Sequence, residues 1–172
     1  GKERVEELVD EMGYPFLGSN CFDTEWDERV FQSTAYFERG GIKVAVIGQH
    51  FPYTPISNPS HFVEGWSFGI RPDEIQSNID DARDNGAEII VLLSHNGFDV
   101  DQKLAADISG IDVILTGHTH DAVPEAVRIG KTLVLSSGSH GKYLGRIDLK
   151  VEGGQVVDAS SKLIPVFSDV IS

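Results

Sequence analysis

The sequence predicts an α/β protein built around a mixed sheet. Three observations carry the prediction. Apolar, β-branched runs recur at residues 42–47, 88–93 and 111–115. Stretches of helical period lie between them, which is the alternation of α/β layering. The C-terminal third then holds strand-like runs with no helix between them, which makes the sheet mixed.

The elements follow in order. Val5, Leu8, Val9 and Met12 recur at three-to-four spacing, so residues 3–13 read as an amphipathic helix that stops at Gly13. Residues 15–18 read as extended and residues 23–29 as a polar loop. A strand is expected over residues 30–37, turning at Arg39-Gly40-Gly41. The run at 42–47 is almost wholly apolar, as expected of a strand covered on both faces. Residues 48–70 keep neither period and are rich in Pro and aromatics, so they read as a long ordered loop of the kind that carries function. Pro72 opens a helix through Ile75, Ile79 and Ala82 to Asn85-Gly86. A strand at 88–93, a short helix at 101–109 and a strand at 111–115 follow. Further strands are expected at 132–135, 144–151 and 155–165, with Gly153-Gly154 turning between the last two.

The chain has 172 residues, 40% of them hydrophobic and 24% charged, which is globular composition. Acids outnumber bases 27 to 14, a net charge of −13, and this disfavours nucleic acid or an anionic membrane as partner. No apolar run is long enough to span a bilayer. The acidic excess lies in residues 1–30 and 71–112, which read as solvated helix faces. Cys21 is the single cysteine and reads as a small packing residue rather than a nucleophile.

Two short stretches carry chemistry. Ser94-His95-Asn96-Gly97 follows one buried strand, and Thr116-Gly117-His118-Thr119-His120-Asp121 follows the next. Strand C-terminal ends are where α/β folds gather functional groups. Neighbouring strands would bring His95 near His118 and His120. In an extended segment, His118 and His120 point the same way. Three converging imidazoles suit zinc, manganese or iron, and one shared mononuclear zinc site is an open alternative. His50 and His61 read as loop-fixing or surface residues. His140, in Ser136-Ser137-Gly138-Ser139-His140-Gly141, sits in a turn near the site. Asp121 is the only acid beside the His-x-His pair, and no Asp-x-His occurs, so the remaining ligands of a dinuclear site lie elsewhere.

Ser94-His95-Asn96-Gly97 followed by Gly117-His118-Thr119-His120 resembles the last two metal motifs of the calcineurin-like metallophosphoesterases, in their 5′-nucleotidase branch. The loop Gly48-Gln49-His50-Phe51-Pro52-Tyr53-Thr54-Pro55-Ile56, Trp66-Ser67-Phe68-Gly69-Ile70 and the stretch Leu92 to Val100 are similar to the SoxB-type thiosulfohydrolases of that branch. The resemblance runs from the first helix to Ser168-Asp169. It implies part of a four-layer α/β/β/α sandwich with mixed sheets. It also implies two divalent metal ions, manganese in this branch with zinc as the other option. His95 and His118 would bind one ion and His120 the other. Asn96, Tyr53 and His140 are candidates for contacting substrate or supporting the ligands.

The implied reaction releases sulfate from a thiosulfonate on a cysteine of a SoxYZ-like sulfur-carrier protein, in the periplasm. The family's earlier motifs, an Asp-x-His, a Gly-Asp and a Gly-Asn-His-Glu, have no counterpart in residues 1–172. The resemblance therefore implies that this chain is the C-terminal portion of a metal domain, without the N-terminal motifs or a C-terminal 5′-nucleotidase-type domain. No catalytic residue is expected in it, the isolated chain is expected to be inactive, and self-association is plausible. A 5′-nucleotidase or other phosphomonoesterase fragment and a non-catalytic metal- or partner-binding module are the competing readings.

Overall fold

A computed structural model describes residues 1–167; Ser168-Asp169, the end of the resembling stretch, lie outside the described residues. The chain opens with helix α1 (Lys2–Glu11), followed by the short strand β1 (Phe22–Asp23), β2 (Thr34–Arg39) and β3 (Ile42–Gln49). Helix α2 (Thr54–Ser57) and strand β4 (Trp66–Ser67) fall in the segment expected to be an irregular loop. Then come α3 (Pro72–Asp84), β5 (Ile89–Ser94), α4 (Phe98–Asp107) and β6 (Val113–Thr116). Strands β7 (Val127–Ile129), β8 (Thr132–Ser136), β9 (Tyr143–Glu152) and β10 (Gln155–Pro165) complete it.

Six strands form one mixed sheet in the order β2-β3-β5-β6-β8-β7. The four central strands run parallel and the two edge strands antiparallel. Helices α3 and α4 are the crossovers that parallel pairing requires. Both lie on one face. Ile75, Ile79 and Ala82 of α3 and Leu104 and Ala105 of α4 pack on Ala45, Ile47, Ile90, Leu92, Ile114 and Val134 of the strands. Each of the larger of these side chains contributes about 1.5–3 kcal/mol on full burial. Arg83, at the end of α3, pairs with Asp112 at 2.8 Å and also donates to the Glu88 and Gly110 carbonyls. This ties the helix to the entry of two strands.

The expectation that the central strands are covered on both faces needs correction. On the face opposite the helices, Val44, Val46 and Val91 are half-buried and Leu93 is 50% exposed. Only part of that face is covered. Strands β9 and β10 pair as a separate two-stranded ribbon. The ribbon docks near β8, where Ala126 N–H donates to Ser161 Oγ at 2.7 Å and Gly145 approaches Ser137 and Leu135.

The sheet's register decides where the chemistry stands. Gln49 is level with Ser94, Ser94 with Thr116, and Thr116 with Ser136. Four parallel strands therefore end on one line. The loops that follow carry His50-Phe51, His95, His118-Thr119-His120 and His140.

Candidate metal centre

The loop ends are held by main-chain bonds across the strand tips. His95 N–H donates to the Gln49 carbonyl and Gly117 N–H to the Ser94 carbonyl, each at 2.9 Å. Gly117 lies so close under His95 that a Cβ there would stand 3.1 Å from Nδ1. Gly97 has φ of +108°, a conformation that L side chains rarely adopt, and lets the chain turn sharply into α4. Phe98 N–H, at the start of α4, donates to Thr119 Oγ1 at 3.0 Å, and Thr119 in turn donates to Asp121 Oδ2. The two histidine-bearing loops are thus bonded to each other.

His95 and His118 come together, with ring centroids 5.3 Å apart. His120 instead stands beside His140, at 5.6 Å. His118 and His120 do not extend in parallel as expected. Both have positive φ, +77° and +62°, so the segment is not a strand continuation and alternation does not apply. His140 is also left-handed, at +58°. Such backbones cost energy in non-glycine residues and cluster at functional sites. Among the described residues, no group of three His, Cys, Asp or Glu side chains converges in ligating geometry.

The other sequence candidates fall in several places. Phe51 stacks on the His118 ring at 4.1 Å and meets His95 edge-on at 6.2 Å. Tyr53 is exposed and packs its ring against Phe51 at 5.8 Å. His50 points away into an aromatic cluster of Phe16, Phe31 and Phe68. Asn20 brackets its backbone, accepting from His50 N–H at 2.8 Å and donating to its carbonyl at 2.9 Å. His61 is exposed beside Phe62. Asn96 is only 3% exposed and turns inward, donating to Asp101 Oδ1 at 3.0 Å.

Sequence reasoning missed two residues. Phe51 was part of the loop singled out, but nothing in the sequence says which aromatic meets a histidine. Asp101 lies in the acidic stretch expected to be solvated, yet it is fully buried. A signal was present: Leu104 and Ala105 stand three and four residues on, on the same helix face, and are buried.

Partial desolvation of the outward ring lowers the His95 pKa first, and the charges of His118 and His120 add to it against an opposing pull from Asp101. Its neutral, metal-binding form is favoured. Burial pushes the Asp101 carboxyl up, opposed by its neighbours Thr116, Asn96 and Ser94 and by His95. The donor chemistry fits part of a metal site. The His95–His118 pair and the His120–His140 pair stand on loops at the same sheet edge, without the carboxylates that complete two hard coordination shells.

No family profile matches the chain. The solved sulfate thiohydrolase SoxB of Thermus thermophilus superposes with a TM-score of 0.94 at 40% identity, over 98% of this chain and 31% of that one. The metallophosphoesterase YunD of Bacillus subtilis is 29% identical over 155 residues, 89% of this chain and 32% of its own length. Protein UshA of Yersinia enterocolitica is 27% identical over 184 aligned residues, 89% of this chain and 33% of its own. The chain spans about a third of the length of the relatives it matches. The first of these is described as a sulfate thiohydrolase and the second as a metallophosphoesterase. Its sequence motifs, its mixed α/β fold and these likenesses support a chain similar to SoxB, in the 5′-nucleotidase branch of the calcineurin-like metallophosphoesterases.

Proposed function

We propose that this chain is the C-terminal portion of the metal domain of a dinuclear thiosulfohydrolase that releases sulfate from a thiosulfonate on a carrier-protein cysteine. The observation that carries the reading is the pairing of histidines at level strand ends. His95 faces His118, and His120 stands apart beside His140. That division suits two ions, one held by His95 and His118 and the other by His120. The ions, manganese in this proposal, would lower the pKa of water and hold the anionic sulfonate.

The chain's own residues supply orientation. Phe51 backs His118, the Thr119 hydroxyl joins the two loops, and His140 and the exposed Tyr53 are the residues proposed to meet the substrate. A SoxYZ-like carrier is the proposed partner and the periplasm the proposed location. Among the described residues, no helix is long and apolar enough to cross a membrane. The ligands this site lacks must come from elsewhere, so the chain alone is proposed to be inactive. The half-exposed sheet face around Leu93 is where self-association would occur.

Sulfate release from a cysteine-bound thiosulfonate, measured for this chain alone and for the parent protein, tests the reading. The parent protein is expected to release sulfate and the chain alone to release none. Rapid turnover by the chain alone would contradict the reading. The likeness to UshA and to a curated 5′-nucleotidase of Vibrio vulnificus supports a second reading. Phosphate release from a nucleoside monophosphate, without sulfate release, would favour it.

A further inference from the structure

We propose that Asp101 is a positioning residue, a buried carboxyl on α4 that holds both neighbours of His95 and so aims that imidazole. The inference rests on the reading of His95 as a metal ligand.

Asp101 Oδ1 accepts from Ser94 Oγ at 2.9 Å and from Asn96 Nδ2 at 3.0 Å. Ser94 Oγ also accepts from Asn96 N–H at 3.1 Å. The residues before and after His95 are thus tied to one oxygen, and all three of these residues are buried. His95 itself is exposed. It is the one outward side chain of a turn whose flanks are locked inward. The same turn carries the Ser94 carbonyl that receives Gly117 N–H at 2.9 Å, so the lock reaches the loop bearing His118.

Stability alone does not explain this carboxyl. No Lys or Arg pairs with it among the described residues. A buried carboxyl without a cation adds nothing that an apolar side chain on that helix face would not supply more cheaply. What an apolar residue could not do is accept two converging hydrogen bonds from the flanks of His95. Groups that hydrogen-bond a metal-ligating side chain directly cost about 10–100-fold in metal affinity when removed, and a carboxyl acting through both flanks of the ligand is expected to act at the lower end of that range.

The test titrates the 172-residue chain with diamagnetic Zn2+ while following the shifts of its histidine ring resonances and its backbone amide exchange. In Asp101→Ala, the Zn2+ needed to shift the His95 ring is expected to rise at least about tenfold, and that for His120 less than about threefold. Asp101→Asn keeps an acceptor oxygen at the same place and is expected to restore His95 to within about threefold of the original chain. In the metal-free chain, Asp101→Ala is expected to speed exchange of the His95, Asn96 and Gly117 amides while those of α3 stay protected. Unchanged His95 titration and exchange in a folded Asp101→Ala chain would overturn the proposal. So would an equal loss at His95 and His120. If Asp101→Ala does not fold, Ser94→Ala and Asn96→Ala each remove one tie; either should weaken His95 alone, and no effect from both would overturn it. If Zn2+ shifts no histidine in the original chain, the metal reading falls, while the amide exchange still decides whether Asp101 holds the turn.

Discussion

Gly117 and Cys21 illustrate how single atoms set this molecule's chemistry. A methyl group on Gly117 would press on His95 Nδ1, so glycine is what lets the second loop pass beneath the first histidine. Cys21 shows the reverse. Full burial leaves the thiol with no access, and desolvation pushes its pKa up to about 12, against a weaker pull from Arg71. It should stay unmodified by a disulfide reagent at pH 8 in the folded chain and react only after denaturant is added. Labelling without denaturant at the rate of a free thiol would refute this. The histidines were legible in the sequence because polar His, Gly and Ser residues directly after apolar runs mark strand ends. Asp101 was not, because an acid inside an acidic stretch looks solvated until its helix face is known.

The elements were largely legible, and the departures have local causes. Strands β3, β5 and β6 showed themselves as apolar β-branched runs. Strand β7, with three residues, and β1 and β4, with two each, are too short to establish a period. Helix α4 begins at Phe98 rather than at residue 101, because Gly97 turns the chain before the apolar spacing starts. Helix α3 is where packing carries the most weight. Ile75 and Ile79 are essentially inaccessible in the cluster between helix and sheet, and Gly110 passes close to Ile79 Cγ2. Ile79→Ala should cost about 2–5 kcal/mol in a urea unfolding experiment. A loss below about 1 kcal/mol would mean that the site collapses around the deletion, and that α3 is less firmly seated than described.

At the scale of the whole molecule, the sheet presents two unlike faces and one edge that carries the candidate site. The helices cover one face, and the other leaves Leu93 half exposed at mid-sheet. The sequence could not reveal that asymmetry, since a run of apolar residues looks the same whether one face or two are covered. The acidic excess resides mainly on helices, while the edge with the candidate site is a row of imidazoles. The central claim is that these imidazoles serve two ions rather than one. Calorimetric titration of the chain with Mn2+ or Zn2+, repeated with His95→Ala, His118→Ala and His120→Ala, tests it most directly. The account predicts that His95→Ala and His118→Ala abolish the same binding event and that His120→Ala leaves it in place. Loss of one common event in all three variants would contradict it.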